Sequence, residues 1–339
     1  MPGPSPQLRW EPSATLSLIR MMQRLCHGLP GQAALGAVED EVLSQALQEP
    51  VDSITTRLLS TPVQPSDFWS RLLDEIAANE SGRVTAGNLE VALLGAGDSK
   101  LQSDQTAASL ERDFSTAVTL VQARLPRQSD QLRLRYAPMR QAYEAYAPGL
   151  IRQIGNRVWN GQAPDDWWPS PVTVYAVSPL VGGAADVCAG SNSVWIEAML
   201  TDVSPLVPEW LRLVYTLAIL AVEQHTRSHA SSASTGDNPL GLPWSVGLVP
   251  LILEQAAILE CLPRLPEHVR DAHQQFVDTV AEALRLWNAV TPRDVISGIP
   301  TEVVAEVIAN WWLQDAGDQA MPQALRQLLP RLSAMTEVS

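Results

Sequence analysis

His225 and His229 lie four residues apart in "VEQHTRSHASSAST" (222–235). On a helix that spacing sets two imidazoles on one face, as a zinc-dependent hydrolase requires. Such a site also needs a general base and a third ligand. Thr226 stands where a glutamate base would follow the first histidine, and Glu223 points to another face. Glu254 or Glu260, on the following helix, could supply the third ligand. Arg227, Ser228 and the Ser/Ala run that follows favour a solvated helix end instead. Both readings stand at this stage.

Three other stretches invite chemistry. Asp165 and Asp166 adjoin Trp167 and Trp168 in "DDWWPS". Carboxylates beside aromatic rings suit a sugar or a cation, although a connection pinned by a buried Trp explains them as well. Cys188 sits in a Gly/Ala/Ser-rich stretch, "LVGGAADVCAGSNS", where a nearby histidine could activate it. "VALLGAGDSK" (91–100) resembles a phosphate loop but has no Gly-Lys pair; Thr85 capping a helix that Gly95 ends is the simpler account. No G-x-S-x-G elbow exists. No catalytic set is complete.

These residues need a frame to hold them. The 339 residues are 46% hydrophobic and 18% charged, which is a core-forming composition. The 11 tryptophans outnumber 3 Phe and 5 Tyr, so they are expected to anchor helix contacts. Net charge is −14 and Lys100 is the only lysine. No basic cluster is present, which argues against nucleic acid and anionic membranes as partners. The Arg-for-Lys bias hints at a bacterial source. Three scattered cysteines without a CxxC suggest a reducing cytoplasm. The most apolar run, "LVYTLAILAV" (213–222), is about half a membrane span.

Residues 1–12 carry four prolines and read as a flexible tail. Apolar periodicity predicts a helix after Ser13 and further helices at 38–48, 51–60, 66–79, 86–94, 106–125 and 129–153. "PVTVYAVSP" (171–179) and "VWIEAML" (194–200) predict a small β-hairpin or edge pair. Helices then follow from Pro208 to His229, and at 244–262, 266–290, 300–314 and 321–334. The segment 230–243 reads as a flexible connection. The expected class is therefore mainly α, bundle-like, with a small β element near 171–200. An N-terminal helical region (13–153) precedes a C-terminal α(+β) region (154–339).

The order strand, glycine-rich loop, strand, apolar helix over 171–260 resembles the layout of a zincin metallopeptidase core. That layout would place the HExxH motif in "VYTLAILAV", where Thr216, Leu217 and Leu220 stand instead of His, Glu and His. The resemblance thus implies the fold without its zinc chemistry. "EWLRLVYTLAILAVEQ", "LVPLILEQAAILE" and "ALRLW" together resemble helical segments of bacterial proteins of planctomycete type, and no activity comes with that resemblance.

The sequence therefore leads to a non-catalytic cytoplasmic protein that works through helical surfaces as a scaffold or regulatory partner of other proteins, without a cofactor. The alternative is a hydrolase centred on 171–260, with zinc held by His225, His229 and Glu254 or Glu260.

Overall fold

The computed structural model describes residues 5–26, 37–79, 83–180, 182–230, 244–262, 269–287, 299–316, 319 and 321–338. All but the first residue of the expected connection at 230–243 lies outside them. The chain is mainly helical, with one small mixed sheet between two helical layers. Among the described residues no helix is long and apolar enough to cross a membrane.

The sheet has the order β1-β2-β4-β3, built from β1 (Leu8–Pro12), β2 (Val172–Val177), β3 (Ala185–Cys188) and β4 (Ser193–Glu197). β2 lies parallel to β1 and β4, while β3 runs antiparallel to β4. The expected pairing of 171–179 with 194–200 does occur, but as parallel neighbours. The hairpin is β3–β4, turned by a short 3-10 segment and by Asn192 at φ 50°. Residues 8–12, expected in a flexible tail, form an edge strand. Pro12 closes it where a missing N–H is tolerated, and Trp10 stacks on Tyr136 at 5.3 Å.

Strand alternation divides the core into two. Val172, Val174 and Ala176 of β2 join Val194 and Ile196 of β4 in one cluster; Val177 and Trp195 point into the other. The Trp195 side packs on α1 (Ala14–Cys26), α2 (Ala37–Leu59), α3 (Pro65–Ala78), α4 (Ala86–Gly95) and α5 (Lys100–Arg124). The opposite side packs on α6 (Gln128–Val158), α7 (Glu209–Ala230), α8 (Leu248–Ile258), α9 (Val269–Trp287), α10 (Thr301–Trp311) and α11 (Met321–Val338). Packing changes from one core to the other between Val121 and Leu132, not near 154. α6 therefore belongs with the C-terminal helices.

Burial overrides proline twice. The helices expected at 38–48 and 51–60 are one, α2, running through Pro50. Leu47, Val51, Ile54 and Leu58 form one buried stripe across the break, and their burial outweighs the lost backbone bond. α6 contains Pro138 and Pro148 yet keeps a buried stripe from Leu132 to Val158.

Candidate functional site

Helix α7 begins with a pair of charges that are almost wholly buried. Arg212 is 1% exposed and Glu209 is 5% exposed. Arg212 donates to the Glu209 carboxylate, to the Ala184 carbonyl and to the Glu197 carbonyl at 3.1 Å. Glu197, fully buried at the end of β4, accepts from the backbone N–H groups of Gly182 and Gly183 at 3.0 Å each. Gly183 has φ 129°, a conformation that an L side chain resists, and this lets its amide meet the carboxylate. From the opposite layer, Arg20 of α1 lies over the Trp195 ring at 4.3 Å. Burial lowers the Arg20 pKa to about 10, although Glu197 and Asp186 pull it back up. One charge network thus ties the two helical layers to the sheet and fixes the segment that follows β4.

That segment forms one wall of a cleft of about 590 Å³. Its second wall is the middle of α6, with Pro138, Met139, Ala142 and Tyr146; its third is the turn just past α8, with Glu260 and Cys261. Met199, Leu200, Thr201 and Asp202 close the first wall, leading to Pro208, Glu209 and Trp210 at the start of α7. Tyr146 and Trp210 rings lie 5.8 Å apart at 32°. Asp202 accepts from the Glu209 N–H at 2.8 Å and so anchors the first turn of α7. Glu260 adopts φ 55°, the left-handed conformation usually given to glycine after a helix. Burial raises the Glu209 carboxyl above its ordinary range, with Arg212 opposing the shift. Burial also raises the Cys261 thiol, which weakens it as a nucleophile.

The residues singled out in the sequence fall elsewhere or apart. His225 packs edge-to-face on Trp159 at 4.8 Å and on Trp167 at 5.9 Å. Glu254, half-buried, accepts from Gln255 at 3.1 Å. Glu260 lines the cleft that also holds Tyr146, and Tyr146 stands about 20 Å along α6 from its C-cap residue Trp159. The His229 side chain is outside the described residues. Among the described residues no three His, Cys, Asp or Glu side chains gather to hold a metal ion.

Trp167 and Trp168 are buried, at 4% and 8% exposure, while Asp165 and Asp166 are exposed. The Trp167 ring turns inward onto His225, and both rings lie against Gly155 of α6. Rings and carboxylates therefore present no common face to a ligand, and the connection pinned by buried tryptophan is the arrangement found. Cys188 is fully buried, and its thiol is held protonated by burial and then by Asp74 and Asp186. The glycines of 91–100 follow helix α4, not a strand. Thr85 caps α4 as expected, but Gly97 rather than Gly95 takes the positive φ, at 105°.

The cleft itself was missed because its walls come from three distant segments. One signal for it was present. Arg212 is the sole basic residue in an otherwise apolar helical run, so it needed a buried partner, and Glu209 one turn earlier is that partner.

No family model, curated protein or solved structure matches the chain.

Proposed function

We propose that the chain is a non-catalytic interaction protein, a scaffold or regulator, that receives a protein partner in the cleft between α6 and the start of α7. The observation that carries this reading is the exposure of two large apolar side chains at the cleft, Tyr146 at 55% and Leu200 at 54%. Apolar side chains grouped around a concavity mark recognition surfaces more than scattered ones do. The wall beneath them is rigid, since the Glu197–Arg212–Glu209 network holds it, and a rigid receptor loses little entropy on binding. Chemistry is poorly supplied by comparison. Glu209 is already committed to Arg212, and burial keeps Cys261 a thiol. Three cysteines free of disulfides and the arginine-rich, lysine-poor composition favour a bacterial cytoplasm as the setting.

The test places a photo-crosslinking benzoylphenylalanine at Leu200 and, as a control, at Leu134, which is 73% exposed on α6 and does not line the cleft. The expected result is one protein crosslinked from position 200 only. Once purified, it re-forms a complex that Leu200→Asp weakens by about tenfold or more. Equal crosslinking from both positions, or a complex indifferent to Leu200→Asp, defeats the reading.

A further inference from the structure

Hydrogen-bonding capacity narrows what the cleft can hold. Its carboxylates are engaged within the chain: Asp202 accepts from the Glu209 N–H, Glu209 pairs with Arg212, and Glu260 has an interaction of its own. An occupant that brings many N–H groups into the cleft therefore dries them for little return. The indole N–H of Trp210 is in the opposite position. Trp210 is 4% exposed and lines the cleft, and no described residue accepts from its N–H. An indole nitrogen can only donate. Five other indole N–H groups are sealed inside the protein without an acceptor, whereas Trp210 stands at the cleft wall, within reach of an occupant. The match required is electrostatic: the positive hydrogen of a desolvated indole against a negative oxygen.

An acidic occupant is repelled, because every charged residue in the lining is acidic. A helix laid in the cleft has spent its carbonyls along its own axis, so it covers the Trp210 N–H without pairing it. A polyproline II segment meets both demands. Its carbonyls point outward unpaired, and each proline lacks an N–H. The walls suit such a segment. Tyr146, 55% exposed, stands 5.8 Å from the Trp210 ring at 32°, which sets an open aromatic ring beside the donor. Proline-rich segments dock on aromatic-lined grooves, and their preformed backbone loses little entropy on binding.

We infer that the cleft receives a proline-rich segment of the partner protein in the polyproline II form, one of its carbonyls accepting from the Trp210 N–H and one proline ring resting on Tyr146. This inference rests on the proposal that the cleft is the recognition surface, and it adds the conformation and chemistry of the segment recognised.

The probe is hexaproline, acetylated and amidated, titrated onto the full chain carrying 15N-labelled tryptophan. A Leu/Ala/Glu/Lys peptide patterned as an amphipathic helix is the comparison. NMR follows the 11 indole N–H signals, and Trp210→Phe serves only to assign that of Trp210. The expected result is a downfield move of the Trp210 indole proton while the five sealed indoles stay in place. Tyr146→Ala, at an exposed position that leaves the fold intact, should weaken hexaproline binding by about fivefold or more. If hexaproline binds and the Trp210 signal does not move, or Tyr146→Ala leaves the affinity unchanged, the inference is wrong. If only the helical peptide binds, and Leu200→Ala weakens it, the cleft stands and the proline-rich segment falls. If neither peptide binds, or Leu200→Ala changes nothing, the recognition surface falls as well.

Discussion

The guanidinium of Arg20 lies 4.3 Å from the centre of the Trp195 ring, so the first helix and the second parallel pair of the sheet share a buried cation–ring contact. Trp195 is 1% exposed and reaches the core beneath α1 and α3. Its replacement by alanine removes a large buried ring and leaves Arg20 without its cover. Trp195→Ala is expected to cost about 3–5 kcal/mol, measured as a fall in urea midpoint at unchanged slope. A loss below about 1 kcal/mol would mean the sheet does not join the two layers.

The pair Glu209–Arg212 makes a sharper test, because its two halves are not equivalent. Arg212→Met leaves a buried carboxyl unpaired, and should cost about 3–5 kcal/mol. Adding Glu209→Gln removes that carboxyl's charge and should restore a large part of the loss. Glu209 also gives the pair a pH signature. Burial raises its folded pKa above the ordinary 4.5, so its contribution to stability is full below 4.5 and is lost as pH rises through the folded value. Between those limits Glu209→Gln should gain stability relative to the unaltered protein as pH rises. Chemical denaturation across the acidic range measures this, and a constant difference would contradict it.

Much of this architecture could be read along the chain. Pro208 and Glu209 announced α7, and Thr85 announced α4. Pro50 misled because local rules see a lost hydrogen bond and cannot see the buried stripe Leu47–Val51–Ile54–Leu58 that outweighs it. Strand β1 misled for a different reason. Its partner Val172 is far away in sequence, and the alternation Leu8–Arg9–Trp10–Glu11 is too short, among prolines, to reveal the pairing. In "DDWW" the residue types were informative but their direction was not, since burial against His225 is decided by α6 and α7. The cleft was the least legible feature, because Tyr146, Leu200 and Glu260 converge only through the packing of α6, α7 and α8.

His225 carries the test of the zinc alternative. With its ring packed on Trp159 and Trp167, it serves as part of an aromatic cluster. His225→Ala should cost about 1–2 kcal/mol, and His225→Phe should keep most of that. Elemental mass spectrometry of the purified protein should find less than one zinc per chain, with no change in His225→Ala. One zinc per chain, lost on His225→Ala or His229→Ala, would restore the hydrolase reading.

Glu260 carries backbone strain just past the end of α8. Its left-handed backbone, at φ 55°, costs a non-glycine residue about 1 kcal/mol, and helices commonly place glycine there to avoid the strain. The side chain at 260 lines the cleft, so its removal separates the cost of the backbone from the contribution of the carboxylate. Glu260→Gly relieves the backbone and should raise the thermal midpoint by a few degrees. If the midpoint is unchanged or falls, the interactions of the Glu260 side chain outweigh the strain of its backbone, and Glu260→Ala should then lower the midpoint further.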